Sequence, residues 1–186
     1  MKNLFYPIAF ALLGLTACLN NQPQGDNLQP IDQLKAYAAD DTGFSFEIVD
    51  STEYQDAKVY RIKMISGKWL DESEVLPHSW WHWVEVTIPK ERDTDKALLF
   101  IGGGSADDQQ WKIDSVTINQ AIKTKSVIAQ VTNIPYQPLH FGTNDTINRY
   151  EDDLIAYGWH QFLSNGATED LAEWLARFPM TRAVSR

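Results

Sequence analysis

The sequence predicts an α/β sandwich on a largely parallel sheet. Strand-like alternations come early, over residues 44–48 and 58–65; a wholly apolar run occupies Ala97–Ile101; strand and helix patterns then alternate toward the C-terminus. The chain has 186 residues, 44% of them hydrophobic and 12% aromatic, which suits one buried core and is short for two domains.

The first segment in chain order lies outside that fold. Lys2 supplies a short positive region, residues 4–14 are apolar with Pro7 interrupting them, and Leu15-Thr16-Ala17-Cys18 follows. A membrane-spanning helix needs about 20 apolar residues, so this run fits the hydrophobic stretch of a secretory signal. Leu15-Thr16-Ala17-Cys18 resembles the bacterial lipobox, whose cysteine is acylated and becomes the new N-terminus; an ordinary signal peptide with an incidental cysteine is the alternative. Two or more acyl chains give stable anchoring where one is marginal. Residues 1–17 are therefore expected to be a lipoprotein signal peptide, 18–33 a flexible tether rich in polar and amide side chains, and 34–186 the folded domain. Leu19 after the cysteine resembles lipoproteins routed to the outer membrane. The expected location is the bacterial cell envelope, lipid-anchored through Cys18 to the outer membrane and facing the periplasm.

Ile31, Leu34 and Ala38 give a short helical period over 31–39 that stops near Asp40-Asp41. Phe44, Phe46 and Ile48 alternate with Ser45 and Glu47, and residues 58–65 alternate again, both patterns of half-buried strands. Trp81 and Trp83 lead into a third strand over 84–88, closed by Pro89. Ala97–Ile101 has no polar residue, the pattern of a strand buried on both faces of a helix-covered parallel sheet. A helix over 116–123, a buried strand over 126–131 and a proline-punctuated loop over 134–138 come next. Residues 149–163 give the clearest helix. Tyr150, Leu154, Tyr157 and Phe162 fall near one face, Glu151-Asp152-Asp153 stand where the helix dipole favours negative charge, and Asn165-Gly166 supplies a C-cap. A last helix is expected over 168–177, ending before Phe178-Pro179.

Sixteen basic against 25 acidic residues leave a net charge of -9 with no basic run, which argues against a nucleic-acid partner. One cysteine excludes a disulfide framework and multi-cysteine metal motifs. His78 and His82 could share a strand face, but no third ligand follows at a sensible spacing, so neither metal nor cofactor is expected. The strongest local feature is Gly102-Gly103-Gly104-Ser105 directly after the apolar strand, where glycines let the backbone turn and bring amides close to a ligand. Asp107 replaces the third glycine of a dinucleotide fingerprint and the last glycine of a nucleophile elbow. That weakens Ser105 as a nucleophile and favours an oxyanion loop over Gly102, Gly103, Gly104 and Ser105. A tight turn without chemistry is the competing reading. Trp80, Trp81 and Trp83 form either a candidate aromatic binding patch or core filling. No catalytic set of serine, histidine and acid can be assembled.

Several segments together resemble the PhoPQ-activated pathogenicity-related protein family. They are Trp80-Trp81-His82-Trp83, residues 97–105 (ALLFIGGGS), 133–139 (NIPYQPL), 151–157 (EDDLIAY) and 174–181 (WLARFPMT), in matching order from about Leu34 onward. The resemblance implies an α/β-hydrolase-like fold in secreted or envelope proteins, mostly of unestablished activity. It makes 102–104 the loop after an early central strand, 126–131 the next strand, and 149–163 the helix before the strand that carries the nucleophile. Family members continue past the segment matching Met180-Thr181, so the resemblance implies a domain truncated before its nucleophile strand. The expectation is the N-terminal portion of an envelope lipoprotein lacking its catalytic half, with the missing C-terminal half or a partner chain completing the sheet and the small-molecule or peptide ligand unknown. The rival is a non-enzymatic envelope binding module using the Trp80–Trp83 region.

Overall fold

The computed structural model describes residues 30–54, 56–108 and 115–186. Cys18, the signal segment and most of the expected tether lie outside the described residues. The helix α1 (Pro30–Ala39) is followed by β1 (Ser45–Glu53), β2 (Ala57–Lys68), the short β3 (Val75–Leu76), β4 (Ser79–Pro89) and β5 (Ala97–Ile101). Then come α2 (Ser115–Thr124), β6 (Val127–Val131), the short β7 (His140–Phe141), α3 (Glu151–Ser164), a 3-10 helix (Glu169–Trp174) and α4 (Arg177–Ser185).

Five strands form one sheet in the order β1-β2-β4-β6-β5, and β3 pairs with β7 separately. The sheet is mixed, and the expectation of a largely parallel one is corrected. β1–β2, β2–β4 and β4–β6 are antiparallel; β5–β6 is the one parallel pair among the described strands. Connection length explains the difference. The links from β1 to β2 and from β2 to β4 return the chain antiparallel, whereas β5 reaches β6 through α2, the crossover that a parallel pair needs, and β6 then lies antiparallel beside β4. The crossover inserts β6 between β4 and β5, which leaves β5 at the edge. Ala97–Ile101 is accordingly not buried on both faces: Leu98, Leu99, Phe100 and Ile101 are 40–55% exposed.

Two further boundaries move. β1 extends beyond 48 across a register shift between Ile48 and Asp50, and its residues are exposed because it is the other edge. The expected 168–177 helix is a 3-10 turn, and a new helix, α4, runs through Phe178-Pro179 instead of stopping before it. Pro179 stands in the first turn of α4, where its missing N–H has no intrahelical acceptor to lose.

Alternate residues of a strand face opposite sides of its sheet. On β4, Trp80 and His82 are buried on one side, while Val84 and Val86 farther along it are only partly covered. The opposite side reverses this, with Glu85 and Thr87 buried and Trp81 and Trp83 half-buried. Helices explain the reversal. α4, itself packed on α1, meets β2 on the first side, where Ala183 joins Met64, Val131 and Ile134. α2 covers the second side with Ile118 against Ala57 and Val59. The largest cluster gathers Trp69, Val75, Trp80, Tyr136, Leu139, Phe141 and Leu154 between the start of β4, the β3–β7 pair and α3. Gly158 lets α3 lie against the 3-10 segment: a Cβ there would come 2.3 Å from the Trp174 carbonyl oxygen.

Candidate functional site

The loop after β5 is held by the segment that follows β6. The amide of Ile134 donates to the Gly102 carbonyl at 3.2 Å, and that of Asn133 to the Gly103 carbonyl at 3.1 Å. The side-chain Nε2 of Gln137 donates to the Gly104 carbonyl at 2.7 Å. Three successive carbonyls are thus directed to one side. In a planar trans peptide the following N–H points the opposite way, so the amides of Gly103, Gly104 and Ser105 face away from that segment. A strand would alternate these groups. This turn instead leaves successive amides turned from the segment that holds their carbonyls, a feature that glycine-rich anion sites share.

The third amide already meets a carboxylate: Ser105 N–H donates to Oδ2 of Asp108 at 3.1 Å. The Gly103 and Gly104 amides have no acceptor among the described residues. Glycine is required at 104, where φ is +144° and a Cβ would come 2.7 Å from Oδ1 of Asn133. Ser105 is engaged locally. Its Oγ accepts from the Asp107 amide at 3.1 Å, a local turn, and among the described residues no histidine is hydrogen-bonded to it.

The aromatic segment divides. Trp80 is 1% exposed and packs against Trp69 and Tyr136, so it belongs to the core and leaves the candidate patch. Trp81 and Trp83 remain half-buried on the other face, edge to face with centroids 5.6 Å apart. The Lys63 ammonium lies 4.9 Å from the Trp81 ring centre. The patch adjoins the glycine loop, since Trp83 Nε1 donates to the Asp108 carbonyl at 3.2 Å. Burial raises the pKa of the neighbouring Tyr136 phenol, against a hydrogen bond with Trp81, and the charge of Asp107 adds to the rise.

His82 lies fully buried beneath this region. Its Nδ1 is 3.1 Å from the Thr132 carbonyl, which can only accept, so Nδ1 carries the proton. Nε2 then accepts from the Ser66 hydroxyl at 2.9 Å. Burial lowers the His82 pKa to about 4, against hydrogen bonds to the Thr132 and Asn133 backbone. The pair is geometrically a serine activated by a histidine, but both side chains are sealed in the core and no substrate reaches them. His78 does not join His82, and among the described residues no three His, Cys, Asp or Glu side chains converge as metal ligands.

The sequence profile of the PhoPQ-activated pathogenicity-related protein family matches residues 34–186. The chain belongs to this family. It is also similar to the autocrine proliferation repressor protein A of Dictyostelium discoideum, with 36% identity over 178 residues. That match takes in 93% of this chain and 33% of the relative, so the chain spans about a third of the length of the curated protein it matches. No solved structure matches the chain. Within the matched region lie three residues that periodicity did not single out: Asn133, Gln137 and Gly158. Asn133 and Gln137 carry the loop through hydrogen bonds, and the one textual sign was the Pro-bracketed string Ile134-Pro135-Tyr136-Gln137-Pro138.

Proposed function

We propose that this chain is the N-terminal portion of an α/β-hydrolase-like envelope lipoprotein, and that residues 102–105 are its oxyanion loop. The observation behind the reading is the pair of adjacent Gly103 and Gly104 amides, without an acceptor among the described residues, at the C-terminal end of a parallel strand. Donors so placed stabilise the negative oxygen of a tetrahedral acyl-transfer intermediate. In α/β hydrolases one such donor comes from the loop after the third strand, and the other from the residue after the nucleophile. The exposed outer edge of β5 supports a further strand pairing there, and that strand, from outside residues 34–186, would bring the nucleophile. This chain then supplies anion stabilisation without the nucleophile, the acid or the catalytic histidine.

The test is an amide NMR titration with methylphosphonate, a tetrahedral anion. The Gly103 and Gly104 resonances are expected to move while those of β2 do not. Saturation without movement of either amide ends the reading. The anchor has its own test: palmitate labelling in a bacterial host must be lost in Cys18→Ser. A second reading, a binding module for peptide or glycan, rests on Trp81 and Trp83 remaining half-exposed with Lys63 over one ring. Under it, Trp81→Ala abolishes a ligand-induced shift in tryptophan fluorescence without changing the urea midpoint.

A further inference from the structure

The glycines that open the loop also leave it free to turn over. Gly104 has no Cβ to restrict its ψ, one of the two torsions that direct the Gly104–Ser105 peptide. One direction places the Ser105 N–H beside the Gly103 and Gly104 amides. The other places the Gly104 carbonyl there, a negative dipole where an anion is to bind. We infer that Gln137 is the positioning residue that selects the first direction and ties it to helix α3.

Gln137 is buried and its polar groups meet three partners from two elements. Nε2 donates to the Gly104 carbonyl at 2.7 Å, and Oε1 accepts from the Glu151 amide, the first of α3, at 2.6 Å. Its own carbonyl accepts from the Ala106 amide at 2.6 Å. One side-chain contact needs a donor and the other an acceptor, so the carboxamide fits in a single orientation. α3 depends on it as well, because its N-cap residue Tyr150 makes no side-chain cap and Gln137 accepts one of its otherwise unpaired first-turn amides. Neither an aliphatic residue nor an ionised carboxylate can replace it. An ionised glutamate keeps the Glu151 contact but turns a lone pair on the Gly104 carbonyl. A protonated glutamate restores both bonds.

The inference rests on the oxyanion reading for its functional meaning, and Gln137→Glu tests it by pH. At neutral pH the Gly104 and Ser105 amide resonances should be displaced from wild type and methylphosphonate should bind about tenfold more weakly, a factor equal to about 1.4 kcal/mol. On acidification both properties should return together, with the apparent pKa of one buried carboxyl. Gln137→Met should show the displacement at every pH. Wild-type-like amides in Gln137→Glu at neutral pH overturn the inference, as does displacement that acid does not reverse while the β2 and β4 resonances stay native. If Gln137→Glu does not fold, exchange in the wild type decides. Slow exchange of the Gln137 side-chain amide and the Glu151 backbone amide is expected, and solvent-like exchange of both refutes it. Failure of methylphosphonate to move wild-type amides ends the oxyanion reading alone, because the peptide orientation is measured without any anion.

Discussion

His82 makes stability depend on pH in a direction that its burial fixes. Nε2 accepts from Ser66, so a second ring proton reverses that bond and places a charge in the core. The folded pKa is about 4 against 6.5 for a free imidazole, so the unfolded chain takes up the proton first. The contribution of His82 is whole above pH 6.5 and is lost as pH falls toward 4. Linkage puts the loss at roughly 2 kcal/mol between pH 7 and pH 5. Urea titrations at the two pH values should show it, and His82→Gln should flatten that part of the dependence; an unchanged slope in the variant removes His82 as the cause. Gly158 gives a second residue-scale test. A methyl group there meets the Trp174 carbonyl oxygen, backbone that does not yield cheaply, so Gly158→Ala should cost about 1–3 kcal/mol. A loss below about 0.5 kcal/mol would show that α3 and the 3-10 segment can separate freely.

At the scale of elements, β5 carries the most apolar sequence in the sheet and the least cover. Leu98, Phe100 and their neighbours present both faces and one backbone edge to solvent, a combination that favours pairing with another chain. Phe100→Lys should therefore reduce light scattering by the purified protein while moving its stability by no more than about 0.5 kcal/mol. Equal scattering from variant and wild type would place the association elsewhere. The same strand shows what the sequence could and could not disclose. Periodicity located α1, α2 and the start of α3 to within about two residues, because each depends on local spacing and on signals such as Glu151-Asp152-Asp153. The apolar run 97–101 was also recognisable as a strand. Its edge position was not, since that follows from β6 crossing to β4, a long-range choice with no local mark. Pro179 misled for the opposite reason: a proline reads as a stop, yet in a first turn it is a start. Of the candidate site, the glycines and Trp81 and Trp83 stood out by composition. Gln137 did not, because a buried carboxamide is recognisable only by the two groups that it joins.

For the whole molecule the decisive feature is a sheet covered by helices at opposite ends of its two faces. α4 crosses one face and leaves beside it an apolar groove of about 360 Å³, lined by Phe44, Phe46, Ile62, Met64, Val84 and Val86 among others. Phe46 is 63% exposed and Ile48 54% exposed on the same side of β1. Surface of this kind binds apolar dyes without any loosening of the fold. Anilinonaphthalene sulfonate should therefore fluoresce with the native protein in the absence of urea, through the groove and not through a molten state. The two sources separate on near-ultraviolet circular dichroism, which stays strong if the tryptophan packing around Trp69 and Trp80 is intact. Phe46→Glu puts a charge at the groove wall on an exposed edge residue, so it should lower the dye signal several-fold and leave the urea midpoint nearly unchanged. Emission at the buffer level would mean that the groove is closed in solution. Emission that persists in Phe46→Glu would move the apolar surface to β5, whose Phe100→Lys variant should then lose it.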